Sequence, residues 1–223
     1  WFDKALVIDR NNTGAMYGKG LALSSLGKNE AITWFDKALS IDGNNTDAMY
    51  DKGLGLSILG KNEEAITWLD KALSIDGNNT YAMYEKGLAL YNLGKYEEAI
   101  TWFDKVLAID ANATLALINK GNALHNLGKN EEAITWYDEV LDIDGNNTLA
   151  LDNKGIALDD LGKHQEAITW FDKVLAIDAN NTNTINNKGL ALKDLGKYKE
   201  AVTWYDKALA IDGNDTAAMI NKG

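Results

Sequence analysis

The chain is 223 residues long, 46% hydrophobic and 25% charged, a globular composition with enough apolar side chain for a sizeable core. It has no cysteine, so disulfide scaffolds, thiolate metal sites and cysteine nucleophiles are excluded. A formal charge of −11 with no basic stripe excludes phosphate-dominated nucleic-acid binding.

No apolar run approaches the roughly 20 residues of a membrane span, and the stretch beginning at Trp1 does not read as a signal peptide. Proline is absent, which removes one common helix terminator.

Residues 1–10 read as the second half of a helical unit whose pattern then returns along the chain. Trp recurs at 1, 34, 68, 102, 136, 170 and 204, a step of 33 once and of 34 thereafter. Lys-Gly pairs ending at Gly20, Gly53, Gly87, Gly121, Gly155, Gly189 and Gly223 keep the same step. The short interval comes from a missing acid near Glu30, so the first turn between helices is predicted to be tighter than its later counterparts. Six full units run from about 13 to 214, and residues 216–223 begin another.

Within a unit, two helical stripes follow one another. Ala82, Met83, Lys86, Ala89, Leu90 and Leu93 form the first; Ala99, Ile100, Phe103, Val106 and Leu107 form the second, flanked by Trp102. Gly94 is a helix stop between them, and Glu97 and Glu98 suit the N-terminus of the next helix dipole. Neither helix buries its stripe alone, so each pair is expected to stack on its neighbours as a solenoid.

Ala82, Gly87, Leu90, Gly94, Tyr96, Ala99, Phe103 and Val106 stand at the spacings of the tetratricopeptide repeat, and the chain resembles that family over essentially its whole length. The resemblance implies an all-α, right-handed superhelix of antiparallel helix pairs, one solenoid over residues 1–223. It departs from the family where proline often follows the second helix: Arg10, Gly43, Gly77, Ala111, Gly145, Ala179 and Gly213 stand there, and a left-handed glycine is expected to end the helix instead. The lysines before the mid-helix glycines are expected to lay their stems on the stripe and send their amines to water; an anion-binding column is the rival reading. The glycines themselves suggest close approach to a small alanine of the partner helix. With no polar capping helix at either end, the chain reads as a segment of a longer array, with head-to-tail association as a further expectation.

Each inter-unit loop carries an Asn-x-Thr sequon, at Asn11, Asn44, Asn78, Asn112, Asn146, Asn180 and Asn214. Glycosylation would place the protein outside the cytoplasm. The plainer reading makes Thr13, Thr46, Thr80, Thr114, Thr148, Thr182 and Thr216 helix N-caps in a cytoplasmic protein. The same loops lack the Gly and closing Glu of a calcium loop. Asp36, Asp104 and Asp172, each beside a Lys, read as a solvated helix face, and the tryptophans as packing between helices. Only two histidines occur, His125 and His164, with no paired nucleophile and no phosphate loop, so no enzyme, cofactor or metal is expected.

At about 100° per residue, Leu115, Ile118, Asn119, Asn122, His125 and Asn126 share one arc of their helix. In the family this arc lines the concave groove, where ligands bind. The resemblance therefore implies a peptide groove of Tyr17, Tyr50, Tyr84 and Tyr91, with Asp51 and Glu85, and then of Asn119, Asn122, His125, Asn126, Asp152, Asn153, Asn186 and Asn187. Asn119, Asn153, Asn187 and Asn221 form a column similar to the asparagine ladders of some members. A chaperone-tail clamp is not matched: Ile118, Asn183 and Asn187 stand where its cations belong.

The expected function is non-catalytic binding of a neutral or basic peptide, without nucleic acid or membrane. The alternatives are an architectural or self-assembling array and a recognition module of a larger enzyme.

Overall fold

The computed structural model describes residues 1–222; the last predicted Lys-Gly glycine, Gly223, lies outside them. Fourteen helices and no strand are present among the described residues. They divide into two compact units, Trp1–Ala111 and the residues from Asn112 onward. The first holds α1 (Phe2–Ile8), α2 (Thr13–Ser25), α3 (Glu30–Ile41), α4 (Thr46–Ile58), α5 (Asn62–Ile75), α6 (Thr80–Asn92) and α7 (Tyr96–Ile109). The second holds α8 (Thr114–Asn126), α9 (Asn130–Ile143), α10 (Thr148–Asp160), α11 (His164–Ile177), α12 (Thr182–Asp194), α13 (Tyr198–Ile211) and α14 (Thr216–Lys222).

The even-numbered helices are the first helices of the repeats. Each of the six complete ones ends on a left-handed glycine. At Gly60, φ is +73°, Lys61 N–H donates to Leu56 O at 2.9 Å and Gly60 N–H to Ser57 O at 2.9 Å. This is the paired bonding of a Schellman stop, and only glycine takes that φ without steric cost. The second helix then starts without a side-chain cap, its first turn carrying acids such as Glu63 and Glu64 that complement the dipole. In the shortened copy, α3 starts only at Glu30 and has 12 residues, against 14 in α5. The deletion thus shortens the helix, and the expected tighter turn is not found: residues 26–29 separate α2 from α3, whereas only residues 59–61 separate α4 from α5.

Three expectations are corrected by the loops and the helix contacts. The glycine after each second helix is not left-handed, since the positive-φ glycines are Gly27, Gly60, Gly94, Gly128, Gly162 and Gly196. The aspartate before it ends the helix instead: Asp76 is off the helical conformation at φ −116° and ψ 88°, and its Oδ1 accepts from Asn78 N–H at 3.2 Å. That Asx turn tolerates Ala179 as readily as Gly77, because it does not use a left-handed residue.

The N-cap is the middle residue of the sequon and not its threonine. Asn79 Oδ1 accepts from Ala82 N–H at 2.9 Å, and Asn12, Asn45, Asn147 and Asn181 cap in the same way. Thr80 is already the first helical residue. At α8 the cap position is Ala113, which has no side chain to cap with.

The mid-helix glycines face large side chains and not alanines: Leu69 at Gly53 and an aromatic ring at the other five described. A Cβ on Gly121 would lie 2.5 Å from Tyr137 Cε1, and one on Gly87 would lie 2.6 Å from Phe103 Cε1. Phe35, Leu69 and Phe103 in the first unit, and Tyr137, Phe171 and Tyr205 in the second, fill the space these glycines leave and are at most 1% exposed. Close packing of this kind is what fixes the pairing of each first helix with its second.

Candidate functional site

The lysine column is where the structure departs furthest from expectation. Lys52, Lys120, Lys154 and Lys188 are 7–9% exposed, and their amines are engaged by neighbouring helices instead of pointing freely into water. Lys52 Nζ pairs with Asp36 on the preceding second helix and lies 3.7 Å from the ring centroid of Trp68 on the following one. Lys154 does the same with Asp138 and Trp170, and Lys188 with Asp172 and Trp204. The aspartate face taken as merely solvated is thus half of a ladder of ion pairs between helices. A second lysine covers the same rings from within their own helix, such as Lys71 over Trp68 at 3.7 Å. The half-buried tryptophan is therefore stacked between two cations, a favourable use of the indole face. The offset of 16 residues from Asp to Lys and, after the shortened first copy, from Lys to Trp was the available sequence signal.

On the first-helix face of the first unit, Tyr17, Tyr50, Tyr84 and Tyr91 are all half-buried. Tyr17 Oη donates to Asp51 Oδ2 at 2.6 Å, which ties α2 to α4. Burial pushes the Tyr50 phenol up to about 12, with Glu85 and Asp51 adding to the shift. Tyr84 packs on Phe103 with ring centroids 6.0 Å apart, and Tyr91 meets Tyr96 edge-on at 5.3 Å. Burial also raises the pKa of Asp51 and of Glu85. Neither of these two carboxylates forms a salt bridge among the described residues.

In the second unit the asparagines are engaged with one another and with the backbone. Asn119 Nδ2 donates to Leu115 O at 2.9 Å and Asn126 Nδ2 to Asn122 O at 2.8 Å, each within its own helix. Asn122 Oδ1 accepts from both Tyr137 Oη and Asn153 Nδ2 at 2.9 Å, joining α8, α9 and α10. Asp152 accepts from Thr184 Oγ1 at 2.8 Å and, more weakly, from Asn187 Nδ2 at 3.4 Å. Its pKa is raised by burial, which outweighs these bonds. Asn186 is buried and donates to Asp215 Oδ2 at 2.7 Å. His125 Nε2 lies 2.8 Å from Asp160 Oδ2 on the next first helix. Of the ladder amides, Asn153 and Asn187 thus bond to the preceding repeat and Asn119 to its own helix, a use that spacing alone did not reveal.

Paired helices that repeat every 34 residues and interlock through glycine and ring define a helical-repeat protein. The chain belongs to the tetratricopeptide repeat family. Profiles described as tetratricopeptide repeat match residues 13–45, 112–180 and 183–215. A profile for subunit 3 of the anaphase-promoting complex, cyclosome, matches residues 58–140. Comparison with curated proteins gives no match.

Among solved structures, a tetratricopeptide repeat protein from Parabacteroides merdae is similar with a TM-score of 0.77 and 18% identity, over 99% of this chain and 88% of that one. The Cut9–Hcn1 hetero-tetramer of the APC/C gives a TM-score of 0.77 and 18% identity, over 99% of this chain and 44% of that one. YrrB, described as a TPR protein with an unusual peptide-binding site, gives 0.65 and 24% identity, over 84% and 97%. At these identities the likeness shows the shared fold alone. No described helix is long and apolar enough to cross a membrane.

Proposed function

We propose that the chain is a non-catalytic interaction module that holds a neutral to basic peptide segment of a partner protein on the face of its first helices. The observation that carries this reading is Glu85, a half-buried carboxylate with no cation beside it, set among Tyr50, Tyr84 and Asp51. A desolvated carboxylate is stabilised by an incoming ammonium or guanidinium far more than an exposed one is. The surrounding tyrosines offer flat amphipathic area of the kind that dominates peptide contacts. In the second unit, Asp152 is a further carboxylate whose pKa burial raises, although it accepts from Thr184 and Asn187. The peptide-binding site attributed to YrrB supports this choice of ligand class.

The test is an array of lysine- and arginine-containing peptides, followed by fluorescence anisotropy on the best binder. Glu85→Gln is expected to weaken binding about tenfold and to flatten its salt dependence. Changing Asn119, Asn153 and Asn187 together to Ala is expected to weaken it as well; affinity unaltered by both variants would remove the reading.

A further inference from the structure

One cluster of potential ligand groups lies outside everything used so far. Asp159 stands in the last turn of α10, His164 opens α11 and Asp194 closes α12. One ligand atom from each residue lies within 4.8 Å of the other two. His164 Nδ1 is 2.6 Å from Asp159 Oδ1, and both side chains are largely covered, at 24% and 17% exposure. The arrangement unites one imidazole nitrogen with two carboxylates carried on three successive helices.

The repeat array supplies an internal control. His125 and Asp160 hold the places equivalent to Asp159 and Asp194 one repeat earlier, and there they form a complementary pair at 2.8 Å. One repeat on, the same juxtaposition sets carboxylate against carboxylate, which repel unless a proton or a cation lies between them. The place of His164 is held by Asn62, Tyr96, Asn130 and Tyr198 in other copies. Histidine therefore occurs only in the copy where the two acids meet. The buried Tyr205 hydroxyl has no hydrogen-bond partner among the described residues.

We propose that Asp159, His164 and Asp194 form a binding site for one divalent transition-metal ion of the zinc type. Mixed imidazole and carboxylate donors suit such an ion better than they suit calcium or magnesium, which take oxygen alone. Three protein ligands leave a fourth position to water. Around a tetrahedral zinc ion, neighbouring donor atoms sit about 3.3 Å apart, so the His164–Asp159 bond opens by a fraction of an ångström and the other atoms close in. The imidazole binds through Nδ1 as the neutral tautomer, with its proton on Nε2. The ion would clamp the ends of three consecutive helices.

The experiment is calorimetric titration of the intact chain with Zn²⁺ at pH 7, repeated with Mg²⁺. One Zn²⁺ per chain is expected, with Mg²⁺ binding much more weakly. His164→Asn, which installs the residue found at Asn62 and Asn130, and Asp194→Asn are each expected to weaken Zn²⁺ binding by about tenfold or more. Both variants should retain the wild-type helical circular dichroism, and His125→Ser should bind as the wild type does. Absence of Zn²⁺ binding, equal affinity for Mg²⁺, unchanged binding in His164→Asn, or an equal loss in His125→Ser would each overturn the proposal.

Discussion

Lys52 and Trp68 are stacked, the ammonium 3.7 Å from the ring centroid, while the same ammonium pairs with Asp36 one helix back. One side chain thereby connects α3, α4 and α5. Lys52→Met keeps the stem and removes the charge, and is expected to cost about 1–2 kcal/mol in urea unfolding. Asp36→Asn, at a half-exposed carboxylate, is expected to cost less. An unchanged midpoint in Lys52→Met would mean that the stacked cation contributes nothing.

The stack is incomplete at one place. Trp136 has Lys120 over its ring at 3.5 Å, but Glu139 occupies the position that Lys71 and Lys173 hold beside their own rings. Glu139→Lys supplies the second cation and should stabilise the protein by about 0.5–1 kcal/mol. Thermal unfolding at low and high salt measures the gain and its screening.

Gly121→Ala tests the glycine–ring fit. Alanine is the better helix former by about 1 kcal/mol, but here its Cβ would stand 2.5 Å from Tyr137 Cε1. The ring must move, and with it the Tyr137–Asn122 bond. A net destabilisation of about 1–3 kcal/mol is expected, and a gain in stability would show that the ring has room to retreat.

The capping register gives a matched pair of substitutions. Asn79→Ala removes an observed cap and should cost about 1 kcal/mol, while Ala113→Asn adds one where none exists and should return a similar amount. Thr80→Ala, by contrast, should be close to neutral. A larger loss in Thr80→Ala than in Asn79→Ala would restore threonine as the cap.

The pH dependence at Glu85 follows from its raised pKa, whose cause is burial. Between its ordinary value of 4.5 and the higher folded value, the folded state binds more protons than the unfolded one. Stability from this group is therefore complete below the unfolded pKa and is lost as pH rises through the folded pKa. Glu85→Gln removes that loss. It should be more stable than the wild type at pH 7 and no more stable at pH 4, as read from denaturation midpoints at the two values.

Much of this architecture is legible in residue order. The recurring Trp and Lys-Gly columns mark the helix pairs, and Gly94 marks the turn between two of them because a left-handed stop demands glycine. The loops are harder, since Asn78, Asn79 and Thr80 can all cap a helix or make a turn, and only the backbone decides which is Ncap. The candidate face is the least legible part. Asn122 and Asn153 are 31 residues apart, and whether an amide faces a ligand or its neighbour depends on which repeats touch. Asp159, His164 and Asp194 share no motif, and they meet only because three helix ends converge.

The bridging lysine bears finally on how the array melts. In a one-dimensional chain of repeats, cooperativity is set by how much of each unit's stability resides in its junction with the next. Lys52 places its charge contact in one repeat and its ring contact in another, so local opening of α4 forfeits both together. Fraying should therefore advance a whole repeat at a time, with hydrogen-exchange protection rising in steps of 34 residues along each unit.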